Sequence, residues 1–415
     1  MHAFRYLGGI LHGEEVPLTR VAEAVGTPVY VYSRRTLRDH YRRLDQAFAE
    51  VPHLICYSVK ANSNLGVLSV LAGEGAGADI VSGGELYRAL KAGIPPEKIV
   101  FAGIGKTVEE MAYALRSGIL MFNVESEDEL LLLDRVAGEM GRKADIALRV
   151  NPDVDPGTHP YIATGMREAK FGIDMEEALA VYERAAELEN VRVVGVHQHI
   201  GSQITEVGPF RDSLERTGEL VGSLRGRGLD IRYINIGGGF GIPYDEEEVP
   251  YPVDYARALA PLLKEQGCTV ILETGRLIVG NAGVLLTRVL YRKKSGNKRF
   301  LVVDAAMNDL IRPSLYGSFH RILPVVENHR EEETVDVVGP VCESGDFLAR
   351  GRSMPRAEPG ELLAVMSAGA YGFVMSSNYN SRRRAAEVMV DGGDFLVVRE
   401  RESLDDLVRG ERVVP

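Results

Sequence analysis

From about residue 34 the sequence alternates short β-branched, apolar runs with longer amphipathic stretches, and this repeat constrains the fold more than any other feature. The runs are LICYSVKA (54–61), GADIVS (77–82), KIVFAG (98–103), ILMFNV (119–124), DIALRV (145–150), VVGVHQHI (193–200), RYINIG (232–237) and TVILET (269–274). Helix-patterned segments such as 108–117 and 126–140 separate them, the second opening Ser126-Glu127-Asp128-Glu129, a capping-box pattern with an acid three residues after the serine. Eight β-α units predict an α/β chain built on a (β/α)8 barrel of the TIM type. An open doubly wound sheet would place a glycine-rich turn after its first strand, whereas the first run here ends in Lys60-Ala61-Asn62. The unusual polar residues collect at the ends of the runs: Lys60, Ser82, Asn123, Arg149, His199, the 237–239 glycines and Glu273. In a barrel those ends form the face that carries chemistry.

At 415 residues the chain exceeds what one barrel needs. After Glu273 the texture changes to strand-like runs split by turn residues: AGVLLTRVLYRKK, RFLVVDAA, ETVDVVG, ELLAVMSA and EVMVDGGDFLVVRE. They predict a β-rich domain, Greek-key or barrel-like, and TPVYVYS (27–33) adds a strand at the other end of the chain. The expected division is a barrel over 34–278 and a β domain made of 1–33 with 279–415. A formal charge of −11 repels phosphate backbones and anionic membranes, so nucleic acid and membrane surfaces are not expected partners. Cys56, Cys268 and Cys342 are too few and scattered for a disulfide framework, and Cys56 and Cys268 read as core residues. With no signal-peptide pattern at the start and no long apolar span, the expected location is cytoplasmic.

Taken one at a time, the polar residues leave alternatives open. Strand alternation places Lys60 on the inward face with Ser58 and Cys56, where a lysine is either paired with a carboxylate or a desolvated nucleophile able to attack a carbonyl. Gly237-Gly238-Gly239-Phe240-Gly241 is either a tight turn or a loop whose N–H groups approach an anion, in the region where barrels bind phosphate. In His199-Ile200-Gly201-Ser202-Gln203, Ser202 offers further anion contacts and His199 a flat ring. His197 and His199, two apart, also have metal-ligand spacing, which would suit a metal-dependent barrel hydrolase. That reading lacks partners, because the histidines at 2, 12, 40, 53, 159, 320 and 329 lie off the strand ends. Glu273 and Arg276 form either a structural ion pair or two working groups, one for a buried cationic nitrogen and one for an anion. A nucleophilic lysine, a phosphate cradle, a flat ring and an acid for a pyridinium proton together describe a pyridoxal-phosphate site.

YSVKAN, HIGSQ, GGGFG, ETGR, DAAMNDLIRPSLY, GPVCESGD and AGAYG, in this order, resemble the alanine-racemase-like, fold-type III pyridoxal-phosphate decarboxylases. The resemblance implies pyridoxal 5'-phosphate as cofactor and Lys60 as the lysine that carries it, with His199 stacking on its ring and Glu273 at the pyridine nitrogen. It implies Ser202, Gly238, Gly239 and Tyr371 as phosphate ligands, Arg276 reaching phosphate or substrate, and Asp79 and Arg149 bracing the ring and its histidine. Arg276, Arg312 and Tyr316 resemble a clamp for a substrate's distal carboxylate, Glu343 the acceptor of its distal amine, and Tyr371 also touches substrate. Cys342 matches a catalytic cysteine supplied across a homodimer interface, so that active sites are shared. One departure stands out: the family usually has proline where Thr274 stands, and Thr274 is expected to face away from the cofactor.

The reaction so implied is decarboxylation of meso-2,6-diaminopimelate to L-lysine, the last step of lysine biosynthesis. A fold-type III decarboxylase of another basic amino acid would share Lys60 and Glu273 but have no use for the Arg312 clamp. A carrier-tethered amino acid would keep the core and alter the clamp.

Overall fold

Residues 2–155 and 170–415 are described by a computed structural model. The chain divides into two compact units, His40–Ile242 with Glu248–Leu277, and Met1–Asp39 with Pro243–Glu247 and Ile278–Pro415.

The first unit is the barrel. Its strands are β1 (His53–Ser58), β2 (Gly77–Ile80), β3 (Ile99–Phe101), β4 (Met121–Val124), β5 (Ala144–Asn151), β6 (Val191–Gln198), β7 (Tyr233–Asn235) and β8 (Thr269–Leu272). Each pairs in parallel with the next, β8 pairs with β1, and the ring therefore closes. Most strand positions are buried on both faces, which explains why the strands read as continuous apolar runs. Cys56, Val100, Met121, Ala147, Val194 and Ile271 form one buried cluster, an apolar layer contributed by six strands. Register sets Arg149, His197 and Asn235 side by side across β5, β6 and β7, and Ser58 beside Asp79 across β1 and β2.

Two local expectations change. The first strand stops at Ser58, and Lys60 lies in the following 3-10 turn, Val59–Ala61, not on the strand. Side-chain hydrogen bonds draw the chain out of the sheet: Asn62 Oδ1 accepts the N–H of Asn64, and Asn64 Oδ1 caps helix Leu65–Gly73 through the N–H of Gly66. Ser126 caps helix Glu127–Glu139 as expected, but Glu129 does not return the bond; its carboxylate accepts from the N–H of Glu125 and from Lys106. A full reciprocal box forms at Thr107 and Glu110, on helix Val108–Ser117.

In the second unit, Val29–Ser33 pairs antiparallel with β9 (Gly283–Ser295) and parallel with Ala386–Asp391, inside a nine-stranded sheet. The runs read after Glu273 all contribute strands to this sheet. Strand Phe347–Pro355 was not read from the sequence, because Arg350, Gly351 and Arg352 interrupt its alternation. A three-stranded sheet, Phe4–Leu7, Ile10–Gly13 and Val16–Pro17, and helix Leu18–Val25 likewise went unread. Their apolar side chains join Val29, Val31, Val284, Leu286 and Val388 in a common core. Among the described residues no helix is long and apolar enough to cross a membrane.

Two glycines provide a contrast that tests this packing. A Cβ on Gly369 would overlap the carbonyl oxygen of Val279, whereas one on Gly222, in helix Gly208–Gly226, meets nothing within 4 Å. Gly369→Ala should lose on the order of 1–3 kcal/mol, and Gly222→Ala should gain roughly 0.5–1 kcal/mol. Urea unfolding reads both, and shifts of the same sign would contradict the packing described.

Candidate active site

Glu273 follows β8 directly, and its N–H donates to the carbonyl of Gly237 at 2.8 Å. Its buried carboxylate gathers donors from other strands. Asn123 Nδ2 of β4 and Asn235 Nδ2 of β7 donate to Oε1 at 2.9 and 2.6 Å. His197 Nε2 of β6 lies 3.3 Å from Oε2, within ion-pair distance though outside hydrogen-bond geometry. Burial alone would push this carboxyl up. The opposing pull of His197, Lys60 and the Asn235 amide outweighs it and holds Glu273 well below the ordinary carboxylate range, hence ionised.

Asp79, on β2, moves the other way. Burial and the Glu273 charge raise it, with Lys60 and Ser58 opposing. Lys60 Nζ is 3.0 Å from Asp79 Oδ2, and its side chain remains 37% exposed. The carboxylate-paired reading of Lys60 is thus met, and the pairing leaves the amine accessible at the barrel mouth. Ser58 Oγ lies 2.8 Å from the same Asp79 oxygen and 2.9 Å from the carbonyl of Glu273, which links the two acidic residues.

His199, just past β6, accepts the N–H of Gly238 on Nδ1 at 3.2 Å. Burial, then the neighbouring Arg149 and Lys60 cations, drive its pKa well below the usual value, so the ring is neutral. The glycine run is explained first by backbone crowding. Gly237 and Gly239 take φ of +69° and +104°, and a Cβ on Gly238 would overlap the carbonyl of Glu273. The expected cradle is thus modified, since the Gly238 N–H is directed at His199. Arg276 Nη2 donates to Ser202 Oγ at 3.0 Å, joining the loops after β6 and β8. Arg149 Nη1 is 3.3 Å from both carboxylate oxygens of Glu125, and its guanidinium stands 4.7 Å from the Phe171 ring centroid. The buried Thr274 hydroxyl has no hydrogen bond among the described residues, while its carbonyl accepts from the N–H of Ser58.

The remaining expected site residues belong to the second unit. Arg312 is buried at the start of the short helix Arg312–Tyr316, and Tyr316 is half-buried at its end. Cys342 and Glu343 are exposed in one loop, where the Cys342 N–H donates to Asn380 Oδ1 and a hydrogen bond to Glu343 raises the Tyr379 hydroxyl. Tyr371 holds a φ of +55°, a strained conformation for a large residue and a frequent mark of functional loops. The structure thus brings Lys60, Asp79, Arg149, His199, Ser202, Gly238, Gly239, Glu273 and Arg276 to the strand C-terminal end of the barrel.

Sequence reasoning gave no role to Asn123, Asn235, Glu125, Lys106 or Glu129. An amide closing the apolar run of β7 was the available signal for Asn235. Lys106 sits in a loop without any pattern, yet its Nζ donates to Glu129 and to the carbonyls of Gly103 and Asn123. His197 turns to Glu273; among the described residues no group of three or more His, Cys, Asp or Glu is arranged to hold a metal ion, and His159 lies outside them.

Among the described residues, several buried polar atoms at this mouth find no hydrogen-bond partner: Asp79 Oδ1, Asn123 Oδ1, and Nε and Nη2 of Arg149. Such atoms mark a polar group that the protein does not itself supply. A phosphorylated pyridine aldehyde fits the donor set, which offers an amine, an anion for a ring nitrogen, and a hydroxyl with a guanidinium for phosphate.

The fold and site define a barrel of the pyridoxal-binding decarboxylase class, and the family model described as "Pyridoxal-dependent decarboxylase, pyridoxal binding domain" matches residues 34–280. A diaminopimelate decarboxylase of Pseudomonas aeruginosa is 55% identical over 415 residues, covering 100% of both chains. One from Aquifex aeolicus is 53% identical, covering 97% of this chain and 96% of its own. The crystal structure of diaminopimelate decarboxylase from Helicobacter pylori complexed with L-lysine superposes with a TM-score of 0.92 at 43% identity, covering 94% of this chain and 98% of that one. The chain belongs to the diaminopimelate decarboxylase family of pyridoxal-dependent decarboxylases.

The carboxylate cluster generates a pH-resolved test. Asn235→Leu removes one donor to Glu273 and should destabilise by about 1–3 kcal/mol at pH 7. A depressed folded pKa contributes stability above the unfolded value that is lost as pH falls. The variant's Glu273 should protonate sooner, so the gap to wild type should narrow on acidification. Urea unfolding followed from pH 7 down to the lowest pH at which both proteins still fold checks this: the gap should hold constant while both carboxylates stay ionised and narrow only once the variant's protonates, and a gap that widens on acidification would contradict Asn235 holding Glu273 as an anion.

Proposed function

We propose that the chain decarboxylates meso-2,6-diaminopimelate to L-lysine and CO2 with pyridoxal 5'-phosphate as cofactor. The observation that carries this reading is the ionised Glu273 and the Asp79-oriented Lys60 amine at one barrel mouth, in a chain of this family. When bound, pyridoxal phosphate supplies the electron sink that lets a carboxylate leave as CO2.

The residues of the chain do the rest. Lys60, oriented by Asp79, would hold the cofactor through its amine. Glu273, anionic, holds a proton on the pyridine nitrogen, which keeps the ring electron-poor. Asn123, Asn235 and His197 fix the Glu273 carboxylate, so no reorganisation is needed when charge develops. His199, kept neutral, lays an uncharged ring at the site. Ser202 and Arg276, already joined, bind phosphate with the glycine loop and Tyr371. Arg276, Arg312 and Tyr316 take the distal carboxylate, Glu343 the distal amine, and Lys60 or Cys342 returns a proton to the α-carbon. A shorter or uncharged side chain would forgo these contacts, and the second carboxylate therefore sets specificity. Borohydride reduction of the holoenzyme followed by peptide mapping should place the label on Lys60, and meso-diaminopimelate should be turned over far faster than ornithine. Label on another lysine, or comparable kcat/KM for ornithine, would overturn the proposal.

The chain works as a homodimer in which Cys342 of one protomer completes the site of its partner. The exposed Cys342-Glu343 loop supports this reading. A two-fold axis makes such sharing reciprocal. Mixing Lys60→Ala and Cys342→Ala chains yields mixed dimers with one doubly defective and one intact site, and activity should return to about a quarter of wild type. No recovery despite demonstrated subunit exchange would show that Cys342 does not act across the interface.

A further inference from the structure

His320 is fully buried in the second unit, and its two ring nitrogens face different partners. Nδ1 is 2.9 Å from the carbonyl oxygen of Met366, and Nε2 is 3.0 Å from Nη1 of Arg312. A carbonyl can only accept and a guanidinium can only donate. The proton must therefore sit on Nδ1, with the Nε2 lone pair turned to Arg312. A doubly protonated ring would set N–H against N–H and one cation against another. The Met366 carbonyl is itself anchored, because the residue follows strand Leu362–Val365 and its N–H donates to the carbonyl of Arg321 at 2.8 Å.

Tyr244 completes the mount. Its ring centroid lies 4.8 Å from the Arg312 guanidinium and 5.3 Å from the His320 ring, which it meets edge-on at 81°. Arg312 is therefore held by an acceptor on one nitrogen and by an aromatic ring near its face. A carboxylate in the place of His320 would hold the guanidinium equally well but would cancel its charge and compete with an incoming anion. A neutral imidazole fixes the direction and leaves the charge.

We infer that His320 is a positioning residue for the distal-carboxylate clamp: as the Nδ1–H tautomer it aims the Arg312 guanidinium at the carboxylate without neutralising it. This rests on the reading above in which Arg312 receives that carboxylate. The role concerns substrate recognition, so it should appear in binding of the carboxylate and leave cofactor chemistry alone.

Two probes separate these effects. L-lysine carries the distal carboxylate, and cadaverine is the same diamine chain without it. Calorimetry on the holoenzyme should show His320→Leu weakening L-lysine on the order of ten-fold while cadaverine binding is unchanged. The KM for meso-diaminopimelate should rise by a similar factor with kcat nearly constant. His320→Gln, whose amide oxygen can accept from Arg312, should recover most of the L-lysine affinity. Unchanged L-lysine binding in His320→Leu, or equal loss for both probes, would overturn the inference. Failure of the underlying reading looks different, since the wild-type holoenzyme would then not prefer L-lysine over cadaverine. Nitrogen-15 NMR of histidine-labelled wild type tests the claim even where the leucine variant does not fold. A protonated Nδ1 with a bare Nε2 is expected, and a proton on Nε2 would overturn it.

Discussion

A carboxylate kept ionised inside a barrel is the interaction on which the rest of this structure depends. Burying Glu273 without partners would either cost several kcal/mol or drive a proton onto it. Neither happens, because β4, β6 and β7 each deliver a polar side chain to the end of β8. The strand register that sets His197 beside Asn235 is therefore also an electrostatic arrangement. Lys106 supports it from outside by donating to the carbonyl of Asn123. Beyond this polar end, Cys56, Val100, Met121, Ala147, Val194 and Ile271 form an apolar layer.

The same arrangement separates two carboxyl groups that share one mouth. Glu273 is pulled down by His197, Lys60 and an amide, while Asp79 is pushed up by burial and by Glu273 itself. Environments that drive neighbouring acids apart assign them different roles. Glu273 serves as the permanent anion, and Asp79 orients the Lys60 amine. His199, neutral beside two cations, adds surface without charge. The site is thus organised by the charges of its own side chains.

The barrel was legible because its strands are buried on both faces, so that β-branched runs and amphipathic spacers alternate without interruption. The run ends marked His199 and Glu273 as residues of the barrel mouth, while the roles proposed for them and for Lys60 and Arg276 rest on motifs. What the pattern hid was decided by single side chains or by single backbone angles. The amides of Asn62 and Asn64 take Lys60 off its strand, and Glu129 abandons its capping box for Lys106. Asn123 and Asn235 look like polar strand ends until the register brings both to one oxygen of Glu273. The His320 mount links residues 244, 312, 320 and 366, a spacing that only the folded sheet brings together.

If the ionised Glu273 is the organising group, removing its charge while keeping its shape should disable the chemistry and spare the fold. Glu273→Gln holoenzyme should keep the absorbance of bound cofactor, and its kcat for meso-diaminopimelate should fall on the order of 10²-fold or more, as when other preorganised charge-stabilising groups are deleted. A variant that retains cofactor and turns over at near wild-type rate would contradict the account.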